Sequence, residues 1–172
     1  IGFDIAAGIT QQAQSLVQDR ALLKWNYDLT IESIPADAAF ELYFDIEAEP
    51  ERNLDYLLGV LLVDCQNKRE QFYYFMAEKP EDEEKNWNEF LEFLSLYDRA
   101  PIFHFSEYEV DAIQRLAALY GTSWTLTSSI LSRCVDLHSL VTISVAVPVE
   151  SYSLKALANW LGFQWRDRTA SG

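Results

Sequence analysis

The residues of this chain whose type and spacing could do chemistry are carboxylates. Asp45 and Glu47 stand in Phe44-Asp-Ile-Glu47, at the end of a short apolar and aromatic run. On a strand, residues two apart project to the same face, so both carboxylates would leave together. Two adjacent carboxylates repel, and a Mg²⁺ or Mn²⁺ ion relieves that repulsion. For so short a motif, a solvated strand end with acidic neighbours Glu49 and Glu51 is the plain alternative. A second acid-bearing segment is His104-Phe-Ser-Glu-Tyr-Glu109. Glu109 falls in the first turn of an expected helix, where an acid is favoured by the macrodipole in any case, as is Glu107. His104 reads as a strand residue with a hydrogen-bonding role, and Asp136 as a strand-end acid.

The elements that must carry these groups follow from periodicity. Phe40 to Ile46, Tyr56 to Val63 and Gln71 to Ala77 have strand length and β-favouring residues. The polar stretch Asp64 to Glu70 between the last two makes an antiparallel meander of three strands the simple reading. The period then changes. Glu81 to Glu84 suit a helix N-terminus, and Trp87, Phe90, Leu91, Leu94 and Tyr97 follow at helical spacing. A short strand is expected at 101–105. A second amphipathic helix is expected from Glu107 to Tyr120, stopped by Gly121. Residues 127–134 suggest a short helix, and Val135 to Val141 starts extended. Ser153 to Gly162 reads as the last helix, with Ser153 as its cap. The order is an α/β chain with a mixed sheet, covered by helices.

Ahead of this lies a Gln-rich helical pattern from Gln11 to Lys24, then a linker at Ile34-Pro-Ala-Asp37. We therefore expect an N-terminal helix and linker over residues 1–38 and a globular domain over 39–172. With 172 residues, 49% of them apolar and 14% aromatic, the chain can bury a substantial core, which excludes disorder as its main description. No apolar run approaches the ~20 residues of a membrane span, and the start has no signal-peptide pattern. A cytoplasmic location without membrane association is the expectation. Two cysteines, Cys65 and Cys134, are too few for a four-thiolate zinc site. Thirteen basic against 27 acidic residues give a net charge of −14. That counts against tight nucleic-acid binding by this chain alone.

The motifs taken together resemble a known family. An Asp-x-Glu on the first meander strand, then an acid opening the helix after the fourth strand, is similar to the arrangement of the DEDD 3′–5′ exonucleases. The chain from about residue 39 to 172 resembles the YprB-type ribonuclease H-like domains, which are DnaQ-related and often attached to RecB-type nuclease modules. Phe44-Asp-Ile-Glu47 resembles the family's first motif, and His104 to Glu109 its second, with His for Asn and Glu for Asp. Val135-Asp136-Leu137 resembles the fifth-strand Asp-Leu. Ser151 to Gly162 resembles the Ser-Leu-x-x-Leu-Ala-x-x-Leu-Gly helix that precedes the third motif.

The resemblance implies a ribonuclease H-like mixed sheet with helices on both faces. It also implies two-metal phosphodiester hydrolysis, with Mg²⁺ or Mn²⁺ ions about 3.5–4 Å apart. Asp45 would bridge both ions, Glu47 and Glu109 would complete their shells, and Asp136 is the further catalytic candidate. His104 and Tyr108 are the substrate-binding candidates. Tyr43 and Phe44 could also stack on nucleotides, with core packing as the alternative for each aromatic. Lys68, Arg69, Arg166 and Arg168 are phosphate candidates that equally suit a solvated surface. The family's third motif, Tyr-Asn-x-x-Asp, falls beyond the last expected helix. The chain begins with Ile1 and ends at Gly172, so we expect a fragment of a larger bacterial nuclease. Such a piece would be weak or inactive by itself and would work with nucleic acid and with the other domains of its parent chain. A catalytically inactive scaffold of the same fold is the competing expectation. A small-molecule enzyme has little support, since the chain lacks a Gly-rich phosphate loop and a paired-Cys motif.

Overall fold

The structure, a computed structural model, describes residues 2–24, 37–52 and 54–164. Along the chain run α1 (Gly2–Gln18), β1 (Leu22–Leu23), β2 (Phe40–Glu49), β3 (Leu54–Asp64) and β4 (Arg69–Met76). They are followed by α2 (Glu83–Leu96), β5 (Ile102–His104), α3 (Tyr108–Leu119) and α4 (Trp124–Leu131). The last elements are β6 (Cys134–Asp136), α5 (Leu137–Ser144), β7 (Val145–Ala146) and α6 (Leu154–Trp160). By their contacts the elements fall into two compact units, Ile31–Leu137 and Ile1–Thr30 with His138–Gly172.

The first unit is built on a five-stranded sheet of order β4-β3-β2-β5-β6. β2, β3 and β4 form an antiparallel meander. β5 then runs parallel to β2, with Leu42 opposite Ile102, and β6 runs parallel to β5. This is the mixed sheet expected from the sequence, with the 40–46 and 101–105 strands paired in parallel. Alternation along β2 decides which side chains enter the core. Leu42, Phe44 and Ile46 are buried, while Tyr43, Asp45 and Glu47 face outward. Cross-strand register carries the buried set onto Leu62, Val60 and Leu58 of β3. α2, α3 and α4 cover that face through Trp87, Phe90 and Leu94, through Ile113 and Leu116, and through Ile130. Phe90 is the hub. Its ring lies 4.8 Å from Phe44, 5.6 Å from Trp87 and 5.7 Å from Phe75, centroid to centroid.

The helix ends follow local chemistry. Gly121 ends α3 at φ +66°, a left-handed conformation that glycine adopts without strain. α4 starts at Trp124, earlier than the 127–134 expected, because the Ser123 hydroxyl accepts the Leu126 N–H at 3.3 Å. Ser123→Ala is therefore expected to cost about 1 kcal/mol, read from the urea midpoint of unfolding.

One strand expectation holds only at its start. Val135 to Val141 stops being extended after Asp136, and Leu137–Ser144 is helical. The β-branched Val141, Thr142 and Ile143 favour strand, but β6 has a partner in β5 only over three residues, and context overrides propensity. β5 itself ends in a turn where Ser106 takes φ +96°.

In the second unit, α1 spans Gly2–Gln18 rather than 11–24. It ends because Asp19 turns into the left-handed region at φ 48°. Leu22–Leu23 then pairs antiparallel with Val145–Ala146. The fully buried Ser15 hydroxyl lies 2.7 Å from the Arg20 carbonyl and 3.0 Å from that of Ala146. Ser153 caps α6, as its sequence suggests, accepting the Ala156 N–H at 3.3 Å. The expected linker at Ile34–Asp37 lies, except for Asp37, outside the described residues.

Candidate active site

Asp45, Glu47, His104, Tyr108, Glu109 and Asp136 all lie in the sheet unit, toward the C-terminal ends of the parallel strands, whereas Lys68 and Arg69 lie at the opposite end of the sheet, beside the start of β2. Asp45 and Glu47 leave β2 on its outward face. A register shift at Glu47/Ala48, next to the second of them, bends the strand locally. Glu109 comes from the first turn of α3, from the helix-packed side, and is 5% exposed. Although Asp45 is on the exposed face, enough protein surrounds its carboxyl to make burial the leading cause of a raised pKa. The charges of Glu109 and then Glu47 push it further up, against a smaller opposite effect of the Ile46 backbone N–H. Asp45 thus feels the charges of both Glu109 and Glu47.

Glu109 carries the least satisfied polar atom of the group. Its Oε2 is buried without a hydrogen-bond partner among the described residues, and His104 Nδ1 stands 3.8 Å from it. A buried acceptor without a donor costs about 1–3 kcal/mol, so such an atom marks a place where a donor or a cation would be favourable. His104 is itself 5% exposed, with Nδ1 2.7 Å from the Ser106 carbonyl. Burial pulls its imidazole down. The Glu109 carboxylate, the Ser106 carbonyl and the charge of Asp136 outweigh this and hold it above its ordinary value.

Asp136 lies opposite His104 in register and accepts the Ser106 N–H at 3.0 Å. It therefore braces the turn that leads from β5 into α3. Tyr108, half-exposed, begins α3 with its hydroxyl 3.5 Å from Asp55 Oδ1. Phe44 is in the core, stacked on Phe90, and so cannot receive a base. Tyr43 stacks on Phe103 at 5.1 Å and donates to Glu41 at 2.8 Å. Lys68 is in the exposed β3–β4 turn and Arg69 is the exposed first residue of β4. Arg166 and Arg168 lie outside the described residues.

Sequence reasoning missed a set of residues beside this site. Asp55, Glu83, Arg115 and Tyr120 form a linked polar group around the start of β3. The acidic run 81–84 had an obvious local meaning at a helix start, and nothing local indicated that Glu83 is buried.

The donor set is all oxygen, which suits a hard divalent cation, and Glu109 Oε2, buried without a hydrogen-bond partner among the described residues, gives such a cation a place to act. Among the described residues, however, no three His, Cys, Asp or Glu side chains converge into a ready cage for a metal ion. No helix among them is long and apolar enough to cross a membrane.

A family model described as the RNase_H superfamily matches residues 42–172. No curated protein and no solved structure matches the chain.

Proposed function

This chain belongs to the RNase H superfamily, and we propose that its acidic strand end is the hydrolytic site of a metal-dependent 3′–5′ exonuclease-type domain. On this reading residues 39–172 form a domain of the YprB-like kind, working on nucleic acid alongside RecB-type modules of a larger nuclease. The observation that carries the reading is an Asp45 carboxyl raised by the charges of Glu109 and Glu47, beside a buried Glu109 Oε2 that has no hydrogen-bond partner among the described residues.

Asp45, Glu47 and Glu109 would hold the cation. Bound Mg²⁺ or Mn²⁺ would supply an activated water and charge stabilisation at the leaving 3′ oxygen. The residues of the chain do the rest. Asp45 and Glu47 present paired negative charge from one strand face. Glu109 closes the group from α3. Asp136 keeps the β5–α3 turn in place through Ser106 N–H. His104 holds the Glu109 side of the site, and half-exposed Tyr108 offers a ring on which a terminal base can stack. The net charge of −14 repels a phosphate backbone, so substrate capture relies on the bound cation and on basic surfaces of partner domains.

A second reading, an inactive scaffold of the same fold, is favoured by the lack of a ready cation cage among the described residues. The two are separated by incubating the protein with 5′-labelled single-stranded DNA and RNA, with Mn²⁺ or with EDTA. Mn²⁺-dependent shortening from the 3′ end supports the exonuclease. Substrate that stays intact, with a protein that also takes up no Mn²⁺ in a titration, supports the scaffold.

A further inference from the structure

We propose that Asp55, Arg115 and Tyr108 are positioning residues: they clamp α3 to the start of β3 and so set the Glu109 carboxylate against Asp45. The functional part of this proposal rests on the exonuclease reading above.

The clamp is built around one buried acid. Asp55 is 2% exposed and faces Ala48 of β2, the residue after Glu47. Its Oδ2 pairs with the Arg115 guanidinium, and its Oδ1 lies 3.5 Å from the Tyr108 hydroxyl. Its backbone N–H donates to Glu83 Oε1 at 2.7 Å. The other Glu83 oxygen accepts the hydroxyl of Tyr120, at the end of α3, at 2.5 Å. Tyr108 and Arg115 are seven residues apart, two helical turns, and so form one stripe along α3. The helix is tied in its first turn and in its middle to Asp55 of β3, and at its end to Glu83 of α2, which in turn holds the Asp55 N–H.

Such ties do what the apolar contacts of α3 cannot. Its buried side consists of Ala112, Ile113, Leu116 and Ala117 besides Glu109. Apolar burial is non-directional, and two of these four side chains are single methyl groups. A helix packed this way can slide or roll slightly at small cost, and Glu109 in the first turn would move with it. Directional bonds from Asp55 remove that freedom. Stability alone accounts poorly for the pair. Replacing a buried ion pair by apolar groups is often neutral or stabilising, and Arg115 keeps 43% of its side chain exposed. The location points the same way: the clamp holds β3 directly opposite the end of the strand that carries Asp45 and Glu47.

The test uses the intact protein with Arg115→Gln, Arg115→Lys and Asp55→Asn. Arg115 is partly exposed and Asp55→Asn is isosteric, so at least one of these variants retains the fold. Crystal structures read the Asp45–Glu109 carboxyl separation, and Mn²⁺ titrations read cation affinity, each beside the wild type. We expect the separation to grow by about 1 Å in Arg115→Gln. Mn²⁺ affinity should fall roughly 10-fold, the size usual for outer-shell ligand supports, and Arg115→Lys should recover most of it. With a hydrolysed substrate, kcat should fall at unchanged KM. An unchanged separation in both Arg115→Gln and Asp55→Asn overturns the clamp, whatever the metal does. A larger separation with unchanged Mn²⁺ affinity overturns its functional role, and a raised KM makes Arg115 a substrate contact instead. Wild-type protein that takes up no Mn²⁺ overturns the exonuclease reading, while the measured separation still decides the clamp.

Discussion

Asp45→Asn is expected to destroy function and stabilise the fold at neutral pH. Loss of hydrolysis should be at least ~10²–10³-fold, the usual consequence of removing one positioned electrostatic group from an active site. Mn²⁺ binding should fall with it. The stabilisation follows from the raised pKa of the Asp45 carboxyl, caused first by burial, then by Glu109 and by Glu47. A carboxyl raised in the folded state binds its proton more tightly there than in the unfolded chain. Its favourable contribution is full below the ordinary value of 3.8 and is lost as pH rises through the higher folded value. At pH 7 the ionised group therefore sits among like charges, and the neutral amide of the same shape relieves them. Calorimetry should show a higher Tm for Asp45→Asn at pH 7 and no gain near pH 3, where the wild-type carboxyl is already protonated. A lower Tm at pH 7 would mean that Asp45 is a stabilising partner in the empty protein, and the assignment of a strained acidic site would fail. Functional sites commonly carry such a cost, because groups chosen for chemistry are not chosen for stability.

The largest expected effect on stability is that of Phe90→Ala. Phe90 is fully buried on α2 and touches the rings of Phe44, Phe75 and Trp87. It therefore joins α2 to two strands at once, β2 and β4, and packs against Trp87 of its own helix. Truncation removes the transfer energy of the ring and leaves a cavity that surrounding rings, held by the sheet, cannot close. Such changes cost roughly 3–5 kcal/mol, against a typical total of ~5–15 kcal/mol for a domain. Urea unfolding followed by tryptophan fluorescence reads it directly, since Trp87 adjoins the lost ring. A cost below about 1 kcal/mol, the level of a surface change, would mean that α2 is not seated on the sheet as described.

Much of the architecture is legible in local pattern. Leu42, Phe44 and Ile46 alternate with Tyr43, Asp45 and Glu47, and a period of two can bury only one of the sets. Trp87, Phe90, Leu91 and Leu94 repeat at helical spacing, and a period of 3.6 puts them on one side. The stop at Gly121 and the cap at Ser153 are equally local, because each concerns backbone groups within a few residues. These signals suffice for a meander followed by a helix and a parallel strand, which is the sheet observed. Other features depended on partners distant in sequence. Val141 to Ile143 carry strand propensity, but β6 runs out of paired strand after Asp136, and only the length of β5 decides that. Leu22–Leu23 becomes a strand because Val145–Ala146 lies beside it, more than a hundred residues on. The polar group of Asp55, Glu83, Arg115 and Tyr120 is the clearest case. Asp55, Glu83 and Arg115 each read alone as surface groups, since burying a charge is unfavourable until a partner compensates it. The partners come from β3, α2 and α3, so the compensation exists only once the chain has folded. The same holds for Glu109. Its place at a helix start could be read from the sequence, but its burial, the lack of a hydrogen bond to its Oε2 among the described residues and its pressure on Asp45 arise from the packing of α3 on the sheet.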